Sequence, residues 1–178
     1  MKKFFYTAIL AIVAVTMLDS CLGKNVYDEY KDWRETNDEW YSQQAASGQY
    51  TTIVAPWDPS AQVLMRWHND TMLTRINLKP LITSTVDVKY HLSIYDGTPV
   101  DSSYLNTSPA DSIYRSEITS NVEGWILALT NMHVGDSCTA IVPYHQGYGS
   151  YNRGDLLKPY STLVFDIKLV DIYKYKAN

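Results

Sequence analysis

The chain has 178 residues, 46% of them hydrophobic, which is enough for one domain with its own core and some extensions. Its formal net charge of −4 argues against a general nucleic-acid-binding protein, because such a protein needs a basic face for the phosphates. The 15 tyrosines and 5 tryptophans suit either a sheet surface or a ligand-binding groove, so composition leaves these two alternatives open.

The N-terminus has the pattern of an export signal. Lys2 and Lys3 precede an apolar run over residues 4–18, which is short for a transmembrane helix and typical of a secretory signal. The run ends in Leu18-Asp19-Ser20-Cys21, which resembles the cleavage box of bacterial lipoproteins. The resemblance implies a signal peptide over residues 1–20 and a lipid on Cys21 that anchors the protein in a membrane. An ordinary signal peptide with an incidental cysteine is the alternative.

A helix is predicted over residues 25–47, where helix formers dominate and proline is absent. Gly48 is a suitable C-terminal stop. A largely aromatic stripe recurs at near-helical spacing: Tyr27, Tyr30, Trp33, Asn37, Trp40 and Tyr41. We expect this stripe to pack the helix on its own domain; a face that binds a partner is the alternative.

Two further segments follow before the most regular part of the sequence. Residues 49–60 contain "APWDPS" and predict a loop. The next stretch predicts a hairpin with strands over 63–67 and 72–77 and a turn at Asn69-Asp70. Pro80 and Ser84 mark another break.

The clearest strand covers residues 85–95, where apolar and polar side chains alternate strictly and so predict one buried and one solvated face. Asp96-Gly97 predicts a tight turn. A polar loop over 104–112 and a strand over 113–118 follow.

One short amphipathic helix interrupts the strands, because Val122, Trp125, Ile126 and Leu129 follow the i, i+3, i+4, i+7 pattern. A sheet with one apolar face must be covered, and this helix is the natural cover. The fold class is therefore predicted to be α+β, a twisted antiparallel sheet around one short helix.

The last third predicts a strand over 137–142, a long Gly- and Tyr-rich loop over 144–161 and a closing strand over 162–173. A loop of that length inside a compact domain is usually functional. Cys138 is the only cysteine after Cys21, so a disulfide in the mature chain is not expected, and its strand-like surroundings predict a buried, inert thiol.

Six motifs over residues 84–173 resemble the FKBP-type peptidyl-prolyl cis-trans isomerases when taken in order. They are a strand tyrosine, "DGTPVDSS", "VEGW", "MHVG", "PYHQGYG" and "LVFD". The resemblance implies an isomerase domain over 84–178. Residues 21–83 are then a tether, an N-terminal helix and a β-hairpin extension.

The resemblance also implies a proline-binding pocket. Its floor is Trp125, and Tyr90 and Phe165 are aromatic walls. Val122 offers its backbone N–H to the substrate and Tyr148 its hydroxyl. The implied set is Tyr90, Val100, Asp101, Tyr114, Val122, Trp125, Tyr148, Leu157 and Phe165.

Asp101 has two interpretations. By the resemblance it accepts a hydrogen bond from a neighbouring pocket group and organises the site; by its position before two serines it is ordinary turn chemistry. Trp125 and Phe165 on patterned elements are equally compatible with plain core packing.

The implied activity is cis/trans isomerisation of proline-containing peptides or unfolded exported proteins, by a lipoprotein of the bacterial cell envelope. No metal is expected, since the four histidines have no metal-ligand spacing. No cofactor and no nucleic acid are expected either. Val100, Asn121 and the segment 104–118 depart from the family pattern. They keep open a non-catalytic binding module on the same fold, or a structural lipoprotein with a collapsed pocket.

Overall fold

A seven-stranded antiparallel sheet is the framework of the computed structural model, which describes residues 25–175. The signal-peptide prediction over 1–20 and Cys21 lie outside the described residues. The strands are β1 Thr51–Ala55, β2 Asp58–Trp67, β3 Thr85–Ile94, β4 Pro99–Ser102, β5 Tyr114–Glu117, β6 Ser137–Val142 and β7 Leu163–Lys174. The helices are α1 Val26–Glu29, α2 Lys31–Ala46, α3 Thr71–Thr74 and α4 Glu123–Leu129, with 3-10 turns at Ile118–Ser120 and Tyr144–Gln146.

The strand order is β1-β2-β6-β7-β3-β4. Strand β3 pairs along its whole length with β7, whereas its other edge is shared between β5 near its start and β4 near its end. Tyr90 faces Ile167 in this register, and Leu92 faces both Phe165 and Asp101. The residues of the predicted pocket on β3, β4 and β7 are therefore neighbours in the sheet.

The predicted one-faced strand is confirmed. On β3 the apolar side chains Val86, Val88, Tyr90, Leu92 and Ile94 are all buried, while the residues between them are more exposed. They pack in one hydrophobic core with Trp125, Leu127, Ala128 and Leu129 of α4. The predicted α+β class, an antiparallel sheet covered by one short helix, is confirmed.

Gly124 explains how closely α4 approaches the sheet. A Cβ atom at this position would contact Cγ1 of Val142 and lie 2.6 Å from its Cγ2 and 2.9 Å from its Cβ. These distances are shorter than van der Waals contact, so only a glycine allows this packing of α4 on β6.

The predicted N-terminal helix is confirmed, with an interruption at Tyr30 that separates α1 from α2. Gly48 follows the end of α2 with φ of +71°, a left-handed conformation that glycine adopts easily. The aromatic stripe packs on its own domain, because Trp33 and Trp40 contact the ring of Tyr95 at centroid distances of 5.3 and 6.2 Å.

The predicted hairpin was misplaced. Residues 49–60 are not a loop: they contain β1 and the start of β2, which pair with each other. The segment predicted as the second arm instead forms the short helix α3, because the Asp70 side chain accepts a hydrogen bond from Met72 N at 2.9 Å and caps that helix. Pro59 is tolerated in β2 because only Leu64–Trp67 pair with β6.

Strands β2 and β6 join the N-terminal hairpin to the rest of the sheet. Their paired residues Leu64 and Ile141 are fully buried although they point away from the main core. Both strands are thus buried on two faces.

No helix within residues 25–175 is both long enough and apolar enough to cross a membrane.

Candidate active site

A cavity of about 620 Å³ opens between the start of α4, strands β3, β4 and β7, and the long loop after β6. Its lining residues are Tyr90, Leu92, Asp101, Tyr114, Ser120, Asn121, Val122, Trp125, His145, Gly147, Tyr148, Gly149, Tyr151, Arg153 and Phe165. Of the nine predicted pocket residues, the cavity brings together seven.

The inner end of the cavity is aromatic. The Trp125 ring lies edge-on to Phe165 and Tyr90, with centroid distances of 4.8 and 5.2 Å. Tyr114 packs edge-on against Tyr90 at 5.6 Å. Edge-to-face contacts of this kind hold the rings in fixed orientations. Trp125 is only 4% exposed, so its ring is packed firmly at the base of the cavity.

Asp101 is held by hydrogen bonds to both of its carboxylate oxygens. The Tyr90 hydroxyl donates to Oδ2 at 2.6 Å, and the backbone N–H of Ser102 donates to Oδ1 at 2.8 Å. Burial, and after it the bond to Asp101, raises the pKa of the Tyr90 hydroxyl far above its usual value, so this group stays protonated. The pair therefore fixes the position of the Tyr90 ring in the cavity wall.

Two hydrogen-bond donors face the cavity without a protein partner. Val122 precedes the first turn of α4; its carbonyl accepts from Trp125 N and Ile126 N, whereas its own N–H has no acceptor within residues 25–175. The Tyr148 hydroxyl likewise makes no hydrogen bond in the described part of the chain. Both groups are thus available to a bound peptide carbonyl or nitrogen.

Tyr148 is placed by the two glycines beside it. Gly149 has φ of +59°, the left-handed region, and a Cβ at Gly147 would lie 3.2 Å from Cδ1 of Leu163. Side chains at these positions would strain or crowd the turn. The guanidinium of Arg153 lies 5.0 Å from the centre of the Tyr148 ring and limits its movement on one side.

Two predicted pocket residues do not line the cavity. Val100 is half-buried against the hydrophobic core, and Leu157 is 4% exposed inside that core. The Leu157 carbonyl accepts a hydrogen bond from N of the lining residue Arg153 at 3.0 Å.

Several lining residues were missed from the sequence. Leu92 lies two positions after Tyr90 on an alternating strand, a signal that was sufficient to find it. His145 and Tyr151 come from the irregular loop, where no periodic pattern exists. Asn121 uses its amide for structure, since Nδ2 donates to the Glu117 carbonyl at 2.9 Å and to Ser116 Oγ at 3.1 Å.

Asp101, His145 and Arg153 are the Asp, His and Arg side chains in the cavity lining. Over residues 25–175 no cluster of three or more His, Cys, Asp or Glu side chains is arranged to bind a metal ion. The site can offer an apolar base, fixed rings and placed hydrogen-bond donors to a ligand.

Comparison with known proteins gives consistent matches. A family model described as FKBP-type peptidyl-prolyl cis-trans isomerase matches residues 77–170, just over half of the chain. The FKBP-type 22 kDa peptidyl-prolyl cis-trans isomerase of Escherichia coli is 37% identical over 93 residues, which cover 52% of this chain and 43% of that protein. The Outer membrane protein MIP of Legionella longbeachae is 32% identical over 96 residues, 54% of this chain and 40% of that protein.

The fold extends further than the sequence matches. The crystal structure of FkpA from Escherichia coli is similar with a TM-score of 0.67 at 20% identity, covering 98% of this chain and 72% of that one. The chain spans less than half the length of the two curated relatives described above.

Proposed function

Because the chain belongs to the FKBP-type peptidyl-prolyl cis-trans isomerase family, we propose that its cavity binds proline-containing peptides and accelerates the cis/trans exchange of X-Pro bonds. The observation that supports this most directly is the aromatic base of Trp125, Tyr90 and Phe165 beside the unpaired donors of Val122 and Tyr148. The proline ring lies on the indole of Trp125, and the donors contact the peptide on either side of the ring.

The reaction breaks no bond and needs no nucleophile. Rotation about a peptide bond has a barrier of about 18–20 kcal/mol because the C–N bond has partial double-bond character. An enzyme lowers this barrier by binding the twisted amide more tightly than either planar isomer. Catalysis of a thousandfold requires only about 4 kcal/mol of such differential binding.

Two features of the cavity favour the twisted amide. An aromatic base excludes water, which otherwise stabilises the charge-separated planar form. The twisted prolyl nitrogen is more basic than the planar one and can accept a hydrogen bond. Asp101 acts as an organiser in this mechanism, since both of its oxygens already accept hydrogen bonds and keep Tyr90 in place.

The test is a proline-peptide exchange assay on the purified chain. Tyr148→Phe and Asp101→Ala are expected to lower kcat/KM by about tenfold or more each, because they remove a donor and the support of a cavity wall. Tyr104→Phe is the matched control: Tyr104 is an exposed tyrosine outside the cavity that stacks on His91. An exchange rate equal to that in buffer alone would refute the enzymatic function.

A non-catalytic peptide-binding module is the second candidate. It is favoured by the absence of Val100 and Leu157 from the cavity lining and by the presence of polar Asn121 and Arg153 in it. Saturable binding of a proline peptide with no acceleration of exchange would identify this function, and the same variants then report on affinity.

We also propose that the protein is held in the bacterial cell envelope by a lipid on Cys21, where it assists the folding of exported proteins. The support is the sequence pattern before Cys21 and the name of one relative, Outer membrane protein MIP. Cells grown with a clickable fatty acid should label the wild type and Cys138→Ala but not Cys21→Ala. Labelling of the Cys21→Ala protein would contradict the anchor.

A further inference from the structure

The N-terminal helix α2 contacts the segment that forms one wall of the cavity. This segment, the pocket loop, comprises residues 144–162 between β6 and β7. It contributes to the cavity lining His145, Gly147, Tyr148, Gly149, Tyr151 and Arg153. The conformation of the pocket loop therefore determines the position of the Tyr148 hydroxyl in the cavity.

Asn37 is the centre of the contact. Its side chain is completely buried, accepts a hydrogen bond from Thr162 N at 2.7 Å and donates one to the Trp33 carbonyl at 2.8 Å. An amide is costly to bury unless both of its ends are hydrogen-bonded. Helix α2 thus presents to the pocket loop a polar group whose bonds require one relative position of the two segments.

Two neighbouring side chains strengthen the same contact. Trp33 Nε1 donates to Ser161 Oγ at 3.2 Å, and that hydroxyl donates to the Lys158 carbonyl at 2.8 Å. The buried guanidinium of Arg34 lies 5.5 Å from the centre of the Tyr160 ring. The last residues of the pocket loop are therefore held from the helix side at three consecutive positions, 160 to 162.

The held residues are connected directly to Tyr148. Tyr160 N donates to the Gly149 carbonyl at 2.8 Å, and Gly149 N donates to the Tyr144 carbonyl at 2.9 Å. Tyr160 has φ of +63°, a left-handed conformation that is unfavourable for a residue with a side chain and persists only where surrounding contacts fix it. Gly149 is the immediate neighbour of Tyr148, so a displacement at Tyr160 moves the catalytic hydroxyl.

We propose that helix α2 is a brace for the pocket loop and that Asn37 is a positioning residue for the isomerase site. The inference rests on the proposed function. It assigns the N-terminal extension a part in catalysis although none of its described residues, 25–83, lines the cavity.

The test compares Asn37→Ala with Glu35→Ala in the full chain. Glu35 lies on the exposed side of α2, and its side chain forms an exposed ion pair with Lys31 at 3.8 Å, so its variant is the matched control. Asn37→Ala is expected to lower kcat/KM by about tenfold or more, because small misplacements of a catalytic group are costly. Amide hydrogen exchange should accelerate at Gly149, Tyr151 and Tyr160 but not in β3 and β7.

A conservative variant separates positioning from general stability. In Asn37→Asp a protonated carboxyl can accept from Thr162 N and donate to the Trp33 carbonyl as the amide does, whereas a carboxylate cannot donate. Burial raises the pKa of such a carboxyl above its usual range. The kcat/KM of Asn37→Asp should therefore rise toward the wild-type value as the pH falls, on a profile that the wild type does not follow.

Each outcome decides the matter. Unchanged exchange at Gly149 and Tyr160 in Asn37→Ala would overturn the brace. If the wild type shows no isomerase activity, the proposed function fails. The brace is then tested by amide hydrogen exchange in the pocket loop and by the affinity for a proline peptide. If Asn37→Ala does not fold, Trp33→Phe keeps an aromatic ring beside Tyr95 but removes the bond to Ser161. It should show the same changes at smaller size, and wild-type behaviour there would also overturn the brace.

Discussion

Some buried polar atoms have a hydrogen-bond partner and others have none. This difference predicts whether a substitution raises or lowers the free energy of unfolding. The Tyr90 hydroxyl donates to Asp101, whereas the Tyr41 hydroxyl is buried without a hydrogen-bond partner within residues 25–175. Burial also raises the pKa of Tyr41 to about 12, because it disfavours the charged form.

The phenylalanine variants of these two tyrosines should therefore have opposite effects. Tyr41→Phe should raise the free energy of unfolding by about 1 kcal/mol, since it removes a desolvated group that makes no bond. Tyr90→Phe should lower it by about 1–3 kcal/mol, because Asp101 then loses a donor. Urea denaturation of both variants beside the wild type measures the difference, and a loss of stability in Tyr41→Phe would show that its hydroxyl is paired.

Cys138 predicts how stability responds to alkaline pH. Its thiol is buried, and burial raises its pKa from 9.0 to about 12. Below pH 9 both folded and unfolded chains keep the proton, so the contribution is complete there. As the pH rises from 9 to 12 the unfolded chain ionises first, and stability falls by an amount of the order of 4 kcal/mol. The free energy of unfolding, measured by denaturation at each pH, should fall less steeply between pH 9 and 12 for Cys138→Ala than for the wild type. An equal fall in both proteins would contradict the pKa shift of Cys138.

At the residue scale, the sequence predicts which residues lie together where a motif fixes both their spacing and their element. Tyr90, Asp101, Trp125 and Phe165 lie together because register and helix phase follow from the pattern of β3, β4, α4 and β7. Val100 lies outside the cavity lining, because a one-position difference on a short strand decides which face a side chain occupies.

At the scale of elements, the close packing of α4 on β6 requires a glycine at position 124. Gly124→Ala should destabilise the fold by about 1–3 kcal/mol, because the new methyl group overlaps the Val142 side chain. It should also displace Trp125, the next residue, and so weaken binding of a proline peptide. The double variant with Val142→Ala should recover much of both losses. No recovery would mean that the overlap is not the cause.

Periodicity explains which elements the sequence revealed. Strand β3 and helix α4 have long or strong patterns that tertiary structure does not override. Strand β1 has five residues and mixed burial, so its pairing with β2 arises from tertiary contacts and not from local pattern. Helix α3 forms because Asp70 caps it, and a capped turn resembles a hairpin turn in sequence.

For the whole molecule, the sheet sets where the chain can be divided. Strand β2 covers the edge of β6 and contributes Val63, Leu64 and Met65, all fully buried. The boundary predicted between 21–83 and 84–178 therefore cuts across a continuous sheet, although all the residues that line the cavity lie after it.

Two truncations test this boundary. A chain starting at residue 48 keeps every strand and should fold cooperatively, with reduced isomerase activity because the brace is missing. A chain starting at residue 84 loses β1 and β2, exposes the edge of β6 and should aggregate or unfold without a sharp transition. Thermal unfolding and size-exclusion chromatography distinguish them. A stable monomer from residue 84 would show that the hairpin is a dispensable addition.

The hydrogen bond between Asn37 and Thr162 joins positions 125 residues apart. Since synthesis starts at the N-terminus, the residues of helix α2 are made long before those of the surface that they pack on. Loop-closure entropy grows only slowly with length, so this delay does not forbid late docking. The amide of Asn37 and the indoles of Trp33 and Trp40 therefore have no surface to pack on until translation has passed Thr162. Docking of helix α2 thus requires a nearly complete chain.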